Sequence, residues 1–445
     1  MHPGALLRLR RLLAVPSVAL VLVLAACGNN PSSSSGGGLG SGSLLVGVIA
    51  PFTGADAGLG PAYYAACLPA ALTINNNGGV GGRQVSCQQF DTRGEPADAV
   101  PAARQMVASH SNLMATVGCT SDEASSVAPI INGAHIPMFC MTGQSEFNKT
   151  TLPYFHRLVP PDQFDAYAMV GNAMYQNHWT KIALVFGNDI GSQAFVKPAT
   201  TAIQKLGGTV VISQAIALGQ PSYRTEVTQL LAKQPQVILT EALGQPPSDA
   251  TYLAEVKQLN GGKVIPFIGT AATVDPQWFA AVKGAIGLQD LVDNYQGVDI
   301  GTTFSGPGYA EFLTQLNASA SKFADAPKYK QRGSTLHLYD GIIMTALAMT
   351  AANSADPTVY NAKIKEIGNG VSGATVVHTY KDGVDAIKAG KSVRFVGAGG
   401  ETNFNQYNNS QQGYILVKFD NTGGEVTVAT LSEAQTAKII AAGGG

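Results

Sequence analysis

Charge is scarce in this chain. Of 445 residues, 13% are charged, and the formal net charge is −1. A chain this close to neutral exerts no broad electrostatic pull on nucleic acid or anionic lipid. Its apolar content, 45%, is too high and its net charge too low for a disordered chain. Histidine is sparse too: there are seven, scattered, with no pair at ligand spacing. His135, His156 and His337 read as surface or packed core residues. The five cysteines include no Cys-x-x-Cys spacing, so no zinc or other metal site is expected. No Gly-x-Ser-x-Gly elbow, phosphate-cradling Walker loop or His-Glu-x-x-His pair occurs. Gly397-Ala398-Gly399-Gly400 is Gly-rich, but no convincing helix pattern follows it and the full dinucleotide fingerprint is missing. The expectation is a protein that is not an enzyme and carries no cofactor. Beyond the N-terminus no apolar run approaches the ~20 residues of a membrane helix, and no short-period repeat is present.

The N-terminus does carry an apolar run. Arg8, Arg10 and Arg11 precede about 15 nearly unbroken apolar residues over 12–26. That is short for a membrane span and right for the core of a signal peptide. The run ends in Leu24-Ala25-Ala26-Cys27. This resembles the bacterial lipobox, in which the cysteine sulfur receives a diacylglycerol and the preceding peptide is cut. Residues 1–27 are therefore expected to be a lipoprotein signal peptide, with lipidation at Cys27. Residues 28–43, rich in Ser, Gly and Asn, cannot bury enough surface to fold and read as a flexible tether. The expected location is extracytoplasmic, anchored to the cell membrane by the N-terminal lipid alone. Four cysteines then remain, Cys67, Cys87, Cys119 and Cys140, an even number expected to pair outside the cytoplasm.

The rest is rhythmic. Glycine, at 51 residues, punctuates apolar runs as turns between strands and helices require. Strands are expected at 44–50, 83–90, 113–118 and 137–141, with helices at 61–74, 96–109 and 124–133. The alternation resumes with helices at 160–177, 192–206, 223–234 and 249–260 and strands at 181–186, 209–213, 237–240 and 266–269. A long helix at 338–352 and a late strand at 413–419 follow. Alternation of this kind predicts mostly parallel, doubly wound sheets. Two such units in tandem would place two rims of strand C-termini on one cleft.

The residues also match a family pattern. Gly47-Val48-Ile49-Ala50-Pro51-Phe52-Thr53-Gly54 is a strand followed by a Pro-x-Thr-Gly turn. Ile74-Asn75-Asn76-Asn77-Gly78-Gly79-Val80-Gly81-Gly82-Arg83 closes the first helix. Asp91, Gly118-Cys119-Thr120-Ser121, Ile136-Pro137, Phe186 to Gly191 and Tyr339-Asp340 continue the match. From about residue 44 to 420 the chain resembles the type I periplasmic solute-binding proteins, in their leucine/isoleucine/valine-binding branch. The resemblance implies an α/β fold of two Rossmann-like lobes joined by a three-segment hinge. It places 44–157 and 300–400 in lobe I, and 158–299 and 401–440 in lobe II. It implies a receptor that hands a small polar solute, an amino acid or an amide, to the permease subunits of an ABC importer. The same fold also serves as the ligand-sensing part of signalling systems. No nucleic-acid partner is implied.

The resemblance suggests a disulfide from Cys67 to Cys87; for Cys119 and Cys140 the choice is a second bridge or two buried thiols. It also places ligand contacts at Leu59, in the loop before the first helix, and at Thr120 and Ser121. Ser121 or Asp122 is alternatively a plain helix cap. Further contacts fall at Met141, Thr142 and Gly143, at Ile190, and at Gly244 and Ser248. Ile190 stands where many relatives carry a tyrosine, and Ser248 where amino-acid-binding relatives place an acid, with Glu241 and Asp249 nearby. Losing a charge-assisted bond of roughly 1.5–3 kcal/mol would change specificity.

Overall fold

The computed structural model describes residues 38–445 except Ala55, Gln245, Thr303, Ser432, Gly444 and Gly445. The signal sequence, Cys27 and the first part of the tether lie outside the described residues. Residues 39–43, read as the end of that tether, are held by the fold. The Arg83 guanidinium donates to the carbonyls of Leu39, Gly42 and Ser43.

The apolar run at 44–50 becomes β1 (Leu44–Ala50), buried at all seven positions. Only a strand inside a sheet covered on both faces buries both sets of alternating side chains. Around it stand β2 (Val85–Asp91), β3 (Leu113–Gly118), β4 (Met138–Cys140) and β5 (Phe155–Arg157), all parallel, in the order β2-β1-β3-β4-β5. Parallel neighbours need crossover connections. These are α1 (Leu59–Asn76), α2 (Pro96–Ser109) and α3 (Ser121–Gly133). Disulfides join Cys67 on α1 to Cys87 on β2, and Cys119 beyond β3 to Cys140 on β4.

After Arg157 the chain enters a second lobe through α4 (Asp162–Gly171). Strands β6 (Lys181–Gly187), β7 (Thr209–Ile216), β8 (Val237–Glu241), β9 (Phe267–Gly269) and β10 (Tyr295–Ile300) form its parallel part. Between them run α5 (Ile190–Gln193), α6 (Val196–Lys205), α7 (Arg224–Ala232), α8 (Ser248–Leu259), α9 (Pro276–Ile286) and α10 (Leu288–Asn294).

Residues 301–413 return to the first sheet. Helix α11 (Gly306–Ala318) packs on α1, followed by α12 (Gly333–Ala352), α13 (Pro357–Asn369) and α14 (Tyr380–Lys388). Every α12 residue from Gly333 to Met349 is buried, and polar ones among them bond inside the fold, as Thr335 does to the Ala62 carbonyl. At Gly341 an added Cβ would lie 2.9 Å from the Phe139 ring, so the close approach of α12 to β4 depends on glycine. The Gly-rich run at 397–400 is the turn between β12 (Val393–Gly397) and β13 (Gly400–Glu401), which with β11 (Thr375–Val377) make a small sheet. Asp340 accepts the N–H groups of Ala398 and Gly399 at 2.8 and 2.7 Å.

Strands β14 (Tyr414–Phe419) and β15 (Glu425–Ala429) then extend the second sheet antiparallel, giving the order β15-β14-β10-β9-β8-β6-β7. Helix α15 (Glu433–Gly443) packs on α4 and α6. Among the described residues no helix is long and apolar enough to cross a membrane.

Candidate functional site

A cleft is lined from both lobes, at the carboxyl ends of the parallel strands. Lobe I contributes Asp56, Leu59 and Tyr63 after β1, Thr120 to Asp122 after β3, and Met141 after β4. Lobe II contributes Asp162 and Asp165 of α4, Asp189 and Gly191 after β6, Glu241 and Leu243 at β8, and Asp299 and Ile300 of β10. Arg332 and Ser334, at the start of α12, complete it together with Ala271, Ala272 and Tyr414. Strand termini are where open parallel sheets receive ligands.

The lobe I rim is set by the turn after β3. Cys119 lies in the left-handed region, at φ 51°, tied by its disulfide and by its N–H to the Ile49 carbonyl at 2.7 Å. That turn delivers Thr120 as the cap of α3. Its N–H and its hydroxyl both donate to Glu123, at 3.2 and 2.9 Å, and Thr92 donates to the same carboxylate. Ser121 Oγ lies 3.1 Å from Thr142 Oγ1. Across the cleft, Asp122 Oδ1 accepts the Ile190 N–H at 2.8 Å and that of Gly191 at 3.4 Å. A lobe I side chain thus holds backbone of lobe II.

On the lobe II side, Asp165 Oδ2 accepts the Ala271 N–H at 3.1 Å, while its Oδ1 has no partner. Glu241 accepts the hydroxyl of Thr270. Among the described residues Arg332 is the one cation in the lining. It donates to the carbonyls of Ala271, Val274 and Ala272 and sits 3.7 Å from Asp275 Oδ2.

A cleft between two parallel-sheet lobes can hold a solute on two rims, and comparison with known proteins agrees. The family model described as periplasmic binding protein matches residues 43–424. The chain belongs to the periplasmic binding protein family. This binding protein is similar to an amino acid binding protein of Pseudomonas aeruginosa, 24% identical over 327 residues, 71% of this chain and 80% of that one. It is 21% identical over 398 residues to the chemotactic signal transduction system substrate-binding protein BasB of Halobacterium salinarum, covering 86% of this chain and 88% of that one. Its fold is that of LivJ, the branched-chain amino acid transporter substrate-binding protein of Streptococcus pneumoniae, solved with isoleucine. There the TM-score is 0.67 at 16% identity, covering 87% of this chain and 99% of that one.

Of the contacts expected from the sequence of this binding protein, Leu59, Thr120, Ser121 and Met141 line the cleft. Thr142 is wholly buried beneath Ser121. Gly143 lies against α4: its carbonyl accepts the Asp162 N–H at 2.8 Å, and a Cβ there would collide with Asp162. Ile190 is 56% exposed and turns its side chain out of the cleft, offering Asp122 its N–H instead. Gly244 takes a turn at φ 94°, and Ser248 Oγ behind it accepts the Gly219 N–H at 2.9 Å. Neither lines the cleft. Asp249 is buried in lobe II, accepting from Thr240, Ala242 and Trp278. The acid that reaches the cleft from β8 is Glu241, the strand's last residue.

The feature that sequence reasoning missed is the density of carboxylates. Seven line the cleft: Asp56, Asp122, Asp162, Asp165, Asp189, Glu241 and Asp299. They are spread over the sequence, and only the fold brings them together. Burial, then Asp122 and Asp189, push the Asp56 carboxyl well above the usual range. Burial likewise raises Asp165 strongly, with Glu241 and Asp162 adding to it. Burial lifts Asp162 to about 7 against the opposing pull of Arg157, and Glu241 to about 8. These shifts come first from burial of the carboxyls in the cleft, with the neighbouring acids adding to them. Among the described residues no three His, Cys, Asp or Glu side chains are arranged to hold a metal ion.

Proposed function

We propose that this chain is the extracytoplasmic, lipid-anchored substrate-binding subunit of an ABC importer. It captures a small polar solute by closure of its two lobes. It acts as a receptor, not as a catalyst. The observation that carries the reading is the Asp122 bridge across a cleft lined from both lobes. Contacts present only when the lobes approach favour the closed state, and a solute contacting both rims favours it further. The hinge would run through the chain passages after Arg157, after Ile300 and before Tyr414; lobe II, expected to resume at 401, then resumes at 414, because Phe404 and Asn409 pack and bond within lobe I. Leu59, Thr120, Ser121 and Met141 supply the lobe I contacts, and Glu241 takes the part expected of Ser248. Cys27 is the anchor.

The likeness to BasB supports a second reading, a sensory receptor that passes its closed state to a signalling partner. One experiment separates the two. Solute depletion from a defined medium is followed in cells with and without the protein, and taxis toward the same solutes is scored. Loss of depletion of one solute supports import; intact depletion with lost taxis supports sensing. Cys27→Ala should move the protein from the membrane to the soluble fraction, and a variant still on membranes would remove the anchor.

A further inference from the structure

The solute's chemical class can be read from the cleft, given that the cleft is a solute site. From its lining we infer that the solute is an aliphatic di- or polyamine, a cation with at least two separated ammonium groups and no carboxylate.

Three independent features converge on this. The first is committed donors. A zwitterionic amino acid needs N–H or O–H groups for its carboxylate, and this cleft turns several of its donors to its own acids. Thr120 gives both N–H and hydroxyl to Glu123. Ile190 and Gly191 give their N–H groups to Asp122, Ala271 gives its N–H to Asp165, and Thr270 its hydroxyl to Glu241. Arg332 gives three hydrogen bonds to backbone carbonyls, with Nε left without one. Among the buried lining atoms without a partner, the carboxylate oxygens of Asp162, Asp165, Asp189 and Asp299 outnumber Arg332 Nε and Ser334 Oγ.

The second feature is an unpartnered acceptor. Asp165 is 3% exposed and lines the cleft, yet its Oδ1 has no hydrogen-bond partner. A buried carboxylate oxygen without a donor is costly, and a solute ammonium would complete it. Ser334 Oγ, also buried in the lining, lacks a partner as well.

The third is the spread of charge. Asp122 and Asp189 meet at the start of α5, where Asp122 accepts the Ile190 and Gly191 N–H groups and Asp189 that of Ser192, whereas Asp165 and Glu241 meet at the turn of Thr270 and Ala271. The acids therefore form two groupings, one around the tips of α3 and α5 and one around α4 and β8. Two centres of negative charge suit two ammonium groups better than one compact ion. Leu59, Met141, Leu243 and Ile300 give the intervening methylenes an apolar wall. Charge-assisted bonds to both groupings would bring the lobes together.

The test is calorimetric titration of the full chain with putrescine, spermidine, leucine, glutamate and magnesium chloride, with scattering on each mixture. Spermidine or putrescine should bind, more weakly at 500 than at 50 mM salt. Asp165→Asn and Glu241→Gln should each weaken that binding tenfold or more. The same variants should leave the ligand-free melting temperature unchanged, since each amide keeps an acceptor oxygen for Ala271 or Thr270; a residue serving only the fold would lower it. Leucine or glutamate binding with compaction, while the amines stay silent, overturns the amine assignment and leaves the receptor reading standing. Magnesium binding without amine binding also overturns it. No heat and no compaction with any solute would count against both.

Discussion

Asp122, like Arg332, is a side chain through which lobe I touches lobe II backbone in the cleft, so its removal reports on closure. Its Oδ1 accepts from Ile190 at 2.8 Å and from Gly191 at 3.4 Å. The first is a well-formed charge-assisted bond, worth roughly 1.5–3 kcal/mol net. The second is longer than the ordinary range and adds little. Opposing both are burial and the charge of Asp189, which raise the Asp122 carboxyl. A net contribution to closure of about 1.5–2 kcal/mol follows, or roughly a 10–30-fold shift of the open–closed equilibrium. Asp122→Ala should therefore be more open without ligand, and should bind more weakly by up to that factor. Asp122→Asn keeps an oxygen for the Ile190 N–H and relieves the repulsion from Asp189, so it should stay closed. The closed fraction is measured from distances between paired labels, one on each lobe. Equal closed fractions in the wild type and Asp122→Ala would refute the reasoning.

Other expectations follow from the same coordinates. Burial lifts Asp162 to about 7, and Glu241 and Asp340 to about 8. Each folded carboxyl thus keeps a proton that the unfolded chain loses near its ordinary value of about 4. The folded state binds more protons across that window, so stability should fall as pH rises from about 4 toward 8, on the order of 1 kcal/mol per pH unit for each such carboxyl. Thermal melts across that range check the sign, and a melting temperature rising with pH would contradict it. Gly341→Ala forces a Cβ to within 2.9 Å of Phe139. It should cost about 1–3 kcal/mol in denaturant unfolding. Removing the Cys67–Cys87 bridge, which spans 20 residues, should cost about 3 kcal/mol in the chain-entropy view.

Much of this architecture is legible in the chain. Strong apolar runs bounded by glycine, such as 44–50 and 181–187, become buried parallel strands. Helix starts are less legible, because they depend on partners far away. Helix α3 begins at Ser121 and not at 124, since Thr120 and Glu123 cap it reciprocally. Helix α12 begins at Gly333 and not at 338, held by the grip of Arg332 on the carbonyls around residue 272. Short strands such as β5 and β13 carry too little pattern to be seen.

The site divides in the same way. Leu59, Thr120, Ser121 and Met141 follow strand ends, and strand ends are readable. Ile190 and Ser248 sit one turn away from the cleft because the turns after β6 and β8 are directed by contacts to Asp122 and Gly219. The acids were individually visible, as Asp189, Glu241 and Asp249 show. No local signal separates Glu241, in the cleft, from Asp249, satisfied inside lobe II by Thr240 and Trp278. Asp162 and Asp165 gave no hint at all, because a helix start rich in aspartate looks like ordinary capping.

The central claim is that one solute is gripped between two lobes. Its most direct measurement is the distance between labels at Gln89 and Lys233, exposed positions on separate lobes, in the presence of spermidine, leucine and a mixed solute library. A binding solute should narrow the distribution toward the separation seen here. A single, unchanged distance at saturating concentrations of every solute would contradict the account.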